Sequence, residues 1–309
     1  MSVFTSFLSH PYIFGGAALS AQGGGYGFGQ AEAGLLDYVF DRGIRVFDTA
    51  PIYGFGASEQ ALGLFIKNKR EKVSIISKSG VDWHDSRRVN MSNDPKTTQK
   101  MLLASLTRMK TEYIDHYMIH WPDTDVDIRF PLEVLAKNQL EGKIKSIGLC
   151  NTNYDDLEKA LEVVEINSVQ MQNNLFERPS DRVISFLEEK RIPFVGWGVF
   201  DKGIISARVD KKRELSKNYE EGDSRKKSVW WKQADVLNKI EKIEKLKPML
   251  RFHELSLIEA AINYAFAPKW ADHILIGSKT IKDWEQVLDV SRREIASEIL
   301  LEMEAICHS

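Results

Sequence analysis

Cysteine is almost absent from this chain. Only Cys150 and Cys307 occur in 309 residues, too few for a disulfide scaffold and not spaced as a zinc site, so a reducing, cytoplasmic setting is expected. Long hydrophobic runs are lacking as well. No stretch approaches the roughly 18 apolar residues of a membrane span, and the first eleven residues carry no cationic flank ahead of an apolar run, so neither a membrane anchor nor a secretory leader is expected. Nor is there an excess of charge of one sign. Lys+Arg 42 nearly matches Asp+Glu 44, a formal net charge of -2, and no global field argues for a nucleic-acid or membrane-surface partner.

What is present is a rhythm. Short β-branched runs at residues 12–14, 44–48, 73–77, 116–119, 144–149, 168–171, 192–197 and 273–276 read as strands. Amphipathic stretches at 58–69, 97–110, 132–140, 154–164, 181–191, 255–266 and 281–290 read as helices. Strand–helix alternation implies parallel strands with helical crossovers, and eight such units divide the chain into roughly 39 residues each. A single (β/α)8 TIM barrel domain over residues 1–309 is therefore expected. The competing doubly wound sheet would need a phosphate-binding glycine fingerprint opening a helix; Gly23-Gly24-Gly25-Tyr26-Gly27-Phe28-Gly29 has the glycines without the helix and reads as a loop.

One insertion breaks the rhythm. More than fifty residues separate the seventh strand, ending near Trp197, from the next helix near Leu255, far beyond an ordinary βα loop. Residues 202–232 hold ten cations against five anions, a local excess of +5. A solvated mobile loop would explain that charge; so would a lid on an anionic ligand, because βα loops lie on the active face of a barrel.

Polar residues at the C-terminal strand ends are the catalytic candidates of such a fold. Asp48 ends the second strand, Tyr53 follows in its loop, Lys78 ends the third and His120 the fourth. Singly, each has a dull structural explanation; together, at one end of consecutive strands, they suit proton transfer. A phenol with a pKa near 10 needs roughly 4 kcal/mol of differential stabilisation to titrate near 7, more than the ~0–1 kcal/mol of an exposed ion pair. A buried Lys78, kept charged by Asp48, would supply it, and His120 would hold a carbonyl oxygen. None of the four is a hydride donor, so redox chemistry here requires an organic cofactor.

The segments Asp48-Thr49-Ala50-Pro51-Ile52-Tyr53-Gly54, Ser77-Lys78-Ser79-Gly80 and Tyr117-Met118-Ile119-His120-Trp121-Pro122 resemble the signatures of the aldo-keto reductase family, and the resemblance runs over almost the whole chain. It implies an NAD(P)-dependent reduction of an aldehyde or ketone with Tyr53 as proton donor. Gly148-Leu149-Cys150-Asn151 resembles the family's Gly-Val-Ser-Asn segment, with Cys150 in place of serine, and Ser168-Val169-Gln170 its glutamine strand; Asn151 and Gln170 are thereby implied at the nicotinamide carboxamide. Trp197, with Gly198 after it, falls at the ring that stacks on nicotinamide. Ser278 and Lys279 fall at the adenosine phosphate, where Lys279 favours NADP(H) over NAD(H). Gly222-Asp223-Ser224-Arg225 resembles part of the family's cofactor-covering loop, which gives Arg225 a cofactor role and the lid reading weight. Gln286 and Val287 replace a Glu-Asn pair often found near adenine, and Asn173 stands where many relatives have tyrosine.

The partner implied is a small-molecule carbonyl substrate, with no bound metal. Trp83 and Trp121 are expected at the substrate, in βα loops that also hold Trp230 and Trp231; aromatic walls there suit sugars and aromatic carbonyls alike, while packing against their own barrel is the plain alternative. Other readings left open are a cofactor-binding regulatory subunit with weak reductase activity, a dehydrogenase working in the alcohol-oxidising direction and, more remotely, a metal hydrolase using Asp48 and His120, against which the charge of Lys78 argues. Nothing in the sequence specifies an oligomeric state.

Overall fold

A computed structural model describes residues 10–20, 30–84, 86, 89–226, 228–232, 234–290 and 294–308, and for residues 229 and 230 the backbone alone. The glycine-rich segment 23–29 and the side chain of Trp230 lie outside the described residues. Strands β1 (Tyr12–Gly15), β2 (Val46–Asp48), β3 (Ser74–Ser79), β6 (Ile114–Ile119), β7 (Ile144–Cys150), β8 (Ser168–Gln172), β9 (Phe194–Trp197) and β10 (His273–Ile276) close a parallel barrel in the order β1-β10-β9-β8-β7-β6-β3-β2. All eight expected strands are in place. Two further three-residue strands, β4 (Val81–Trp83) and β5 (Val89–Met91), pair antiparallel as a hairpin between β3 and the next helix.

The helices are α1 (Leu35–Asp41), α2 (Ala57–Ile66), α3 (Pro95–Met109), α4 (Arg129–Leu140), α5 (Tyr154–Ala160), α6 (Asp181–Lys190), α7 (Lys211–Ser216), α8 (Val229–Lys232), α9 (Val236–Phe252), α10 (Leu257–Phe266), α11 (Ile281–Leu288) and α12 (Ser297–His308). The long insertion is thus not one open loop. Its second half is the seventeen-residue α9, whose Val236, Ile240, Ile243, Leu246 and Leu250 are buried at the three- and four-residue spacing of one helix face.

Period-two alternation along each strand decides what enters the barrel. Ile13, Val46, Ile76, Met118, Cys150 and Val195 pack together inside, with Leu275 against them. One step toward the C-terminal ends, the same parity brings in Asp48, Lys78, His120, Gln170 and Trp197. One step the other way, it brings in His116, whose Nδ1 lies 2.7 Å from Ser146 Oγ and whose Nε2 lies 2.8 Å from Ser168 Oγ. Gly148 makes room for that ring, since a Cβ there would stand 2.4 Å from Nε2. Outside the barrel, Trp284 of α11 is fully buried and stacks on Phe14 of β1, centroids 5.7 Å apart. Truncating such a side chain costs about 3–5 kcal/mol, so α11 and the turn ahead of it are firmly placed.

Burial, helped by the Lys78 charge, pushes the His116 imidazole down to about 3 from 6.5. The unfolded chain therefore takes up a proton at His116 below about pH 6.5 that the folded chain refuses, and stability falls with pH by up to about 1.4 kcal/mol per unit from this group. Chemical denaturation measured from pH 7 down to pH 4 should show a shallower loss in His116→Gln than in the parent; identical slopes would refute this origin of acid sensitivity.

Candidate active site

Asp48 and Lys78 finish β2 and β3, neighbours in the barrel, and both are buried to within 1% of full exclusion from solvent. Lys78 Nζ donates to Asp48 Oδ1 and Oδ2, each at 2.6 Å, and to the Thr49 carbonyl oxygen at 3.0 Å. Gln170 Nε2 donates to Asp48 Oδ2 at 3.0 Å. Burial pushes the Asp48 carboxyl up, against the opposing pull of the Lys78 charge and the Gln170 hydrogen bond. Such a pair is expensive to leave half made: Coulombic attraction and hydrogen bonds offset two desolvation penalties only while both partners remain.

Tyr53 lies above this pair in the β2–α2 turn, the centre of its ring 5.6 Å from Lys78 Nζ. His120, one residue past β6, stands edge-on to Tyr53 with ring centroids 5.8 Å apart and planes at 84°. Burial first, and the Lys78 charge second, hold the His120 imidazole well below its ordinary range, so at neutral pH it is an uncharged ring with one N–H to donate. The four residues singled out from the sequence are therefore brought together.

The positions expected at a cofactor adjoin them. Asn151 has a left-handed backbone, φ 53; its Nδ2 donates to the His120 carbonyl oxygen at 3.0 Å and its Oδ1 accepts from Trp197 Nε1 at 3.1 Å. Nδ2 also donates to Cys150 Sγ at 3.1 Å, so the Asn151 amide meets a ligand with the second lone pair of Oδ1. Cys150 Sγ lies 3.5 Å from Gln170 Oε1, and burial pushes its thiol up to about 12, which makes it a neutral lining group and not a nucleophile. Gly198 takes φ +75, and a Cβ there would meet Gln172 at 3.4 Å.

All these groups except the buried Asp48, Thr49 and Lys78 border one cavity of about 1010 Å³. It runs from Tyr53 and His120 to Ser278 and Lys279 in the turn that starts α11, whose Thr280 side chain caps Asp283 N–H. Arg225 is buried on its wall, forked onto Asp223 through Nε (3.0 Å to Oδ1) and Nη2 (2.6 Å to Oδ2), with Nη1 on the Lys202 carbonyl oxygen at 2.7 Å. The basic insertion is less bare than its composition implied. Lys202, Arg208 and Lys211 pair with Asp201, Asp283 and Glu241, all outside residues 202–232, while Lys217, Arg225 and Lys226 pair with acids inside it.

The tryptophans divide. Trp121 lines the cavity and is 41% exposed. Trp83 is not among its lining residues; the ring packs edge-on against Phe55 and beneath the Arg108 guanidinium. Trp231 is buried in the insertion, donating to Glu214 Oε2 at 3.1 Å. Sequence reasoning missed Val81 and Val89 of the hairpin, and also Glu220 and Asp283, as lining groups. Nothing local marks either acid; their roles come from partners in other segments.

A sequence model of the aldo/keto reductase family matches residues 11–307. The chain belongs to that family. Aldo-keto reductases are oxidoreductases that use nicotinamide cofactors and act on small-molecule carbonyl compounds. This member is 27% identical to aldo-keto reductase YhdN of Bacillus subtilis over 84% of its own length and 78% of the relative's. It is 24% identical to the NADH-specific methylglyoxal reductase of Escherichia coli, over 84% and 83%. Its fold matches the glycerol dehydrogenase structure from Gluconobacter oxydans with a TM-score of 0.78 at 21% identity, covering 96% of this chain and 90% of that one. Among the described residues no helix is long and apolar enough to cross a membrane, and no group of three or more His, Cys, Asp or Glu side chains is placed to hold a metal ion.

Replacing Asp48 by Asn strands the Lys78 ammonium in the barrel. We expect a loss of about 3–5 kcal/mol in unfolding free energy, and a smaller loss when Lys78→Met is added to it. Denaturant titration of the two variants measures both; an additive double variant would contradict the coupling.

Proposed function

We propose that this aldo-keto reductase reduces an aldehyde or ketone to an alcohol, with Tyr53 as proton donor and NADP(H) as the favoured cofactor. The observation that carries the reading is the convergence of Tyr53, the Lys78–Asp48 pair and a neutral His120 at the inner end of one long cavity. The donor set fits a nicotinamide dinucleotide along its length: the amides of Asn151 and Gln170 and the ring of Trp197 at the inner end, Arg208, Arg213 and Lys279 beside the start of α11 at the outer end. Those cations support a 2'-phosphate and hence NADP(H). When bound, a reduced nicotinamide supplies the hydride. His120 donates a hydrogen bond to the carbonyl oxygen and fixes its direction; Tyr53 gives that oxygen its proton; Lys78, held by Asp48, offsets charge on the phenolate left behind. The same groups serve alcohol oxidation with Tyr53 accepting the proton. Two buried free cysteines suit a cytoplasmic protein.

The substrate side of the cavity adds a preference. Its described lining includes Ala17, Ile52 and Val81, which pack with Tyr53, together with Val89 of the hairpin and Trp121 one residue past His120; these offer apolar area and, apart from the Trp121 indole N–H, no side-chain polar group for sugar hydroxyls. Each unpaired buried hydroxyl costs about 1–3 kcal/mol, so an apolar or aromatic carbonyl is favoured over a sugar. A polyhydroxylated aldehyde should be reduced with kcat/KM at least about tenfold below that of an aromatic aldehyde of like reactivity; the reverse order would refute the preference.

Tyr53→Phe removes one hydroxyl. Turnover of an aromatic aldehyde should fall by about 10²–10⁴-fold, while dinucleotide affinity, followed by tryptophan fluorescence, stays within about twofold. Turnover at the parent rate would rule out Tyr53 as the acid.

A further inference from the structure

We propose that Glu220 sets the selectivity between NADPH and NADH by holding Lys279, so that a 2'-phosphate must displace a carboxylate to reach its cation. The inference rests on the nicotinamide-dependent reading of the site and goes on to name the residue that limits its preference.

Lys279 Nζ donates to Glu220 Oε1 at 2.7 Å, and both residues line the outer end of the cavity. The neighbouring hydroxyl is also committed: Ser278 Oγ donates to Asp283 Oδ2 at 2.7 Å, and Asp283 in turn pairs with Arg208. The groups suited to a 2'-phosphate thus already carry two carboxylates. A phosphate monoester brings about -1.5 to -2 of charge. It has to take Lys279 from Glu220 and then sit beside the released carboxylate, a like-charge penalty that a 2'-hydroxyl does not meet. A hydroxyl can instead donate to Glu220 and leave the Lys279 contact whole.

The placement of Glu220 is built into the fold of the insertion. Tyr219 before it is buried, its hydroxyl donating to Glu214 Oε2 at 2.5 Å and its ring in contact with the guanidinium groups of Arg213 and Arg225, 5.0 and 4.9 Å from the centroid. The Glu220 carbonyl oxygen accepts from Asp223 N–H at 3.1 Å. The backbone is fixed on both sides, and the side chain, 56% exposed against 22% for Lys279, is free to swing into water once a stronger anion arrives. Glu220 therefore weakens NADPH without closing the site to it.

The test is equilibrium binding of NADPH and NADH, read by tryptophan fluorescence, and of adenosine 2',5'-bisphosphate and adenosine 5'-monophosphate as competing fragments. The proteins are the parent, Glu220→Gln, Lys279→Met and the double variant. Glu220→Gln should tighten NADPH and the bisphosphate by about three- to tenfold, with no gain for NADH and the monophosphate, whose 2'-hydroxyl meets no like-charge penalty to relieve. In the Lys279→Met background the same change should give no such gain, because Glu220 acts through Lys279. Equal shifts for phosphorylated and unphosphorylated ligands, or an undiminished gain without Lys279, would overturn the assignment of Glu220 while leaving the reductase reading intact. Failure of the parent to bind either dinucleotide would overturn both.

Discussion

The contact on which the rest depends is the buried pair of Lys78 and Asp48. It sets two full charges against each other in the barrel interior, and the groups near it are arranged around that fact. Gln170 and the Thr49 carbonyl oxygen complete the hydrogen bonds, and the charge of Lys78 contributes to holding both His116 below it and His120 beside it in the neutral form. A cation that exposed water would screen becomes, in a dry barrel, a group that acts on its neighbours. In the mechanism proposed above, Tyr53 is the neighbour through which that influence reaches a substrate.

The barrel supplies the dryness and the register. Parallel strands with inward parity place Asp48, Lys78, His120, Gln170 and Trp197 on one interior level without any local sequence of unusual conformation. The layer beneath is closed by Met118, Val46 and Ile76, which exclude water from the ion pair. Outside the barrel, Trp284 fixes α11 against Phe14 of β1, the strand next to β2, and with it the turn holding Ser278 and Lys279. The two ends of the cavity, where we propose chemistry and anion recognition, are thus held by separate packing arrangements on one scaffold.

Much of this was legible in the sequence. Every barrel strand announced itself through a β-branched run, and the strand-end residues stood out because a barrel puts its chemistry at that end. The hairpin β4–β5 did not, for three-residue strands carry too few alternations to register. The helix α9 was hidden by the charges ahead of it, although Val236, Ile240, Ile243, Leu246 and Leu250 had its period. Composition misled in the insertion, where part of the apparent +5 is met by Asp201, Asp283 and Glu241 from other segments. Glu220 and Trp83 show the same limit: which way each faces is decided by Lys279 and by Phe55 and Arg108, contacts between segments distant in sequence for Glu220 and set by the fold for Trp83.

The central claim is that a buried ammonium, through Tyr53, drives proton delivery in this cavity. It is tested most directly by steady-state reduction of an aromatic aldehyde in Lys78→Met, whose Asp48 can take up a proton and keep its Gln170 hydrogen bond, with the fold and dinucleotide affinity checked on the same sample. The account predicts a folded, cofactor-binding protein whose kcat has fallen by at least about a hundredfold. A folded variant that binds the dinucleotide and turns over at the parent rate would contradict it.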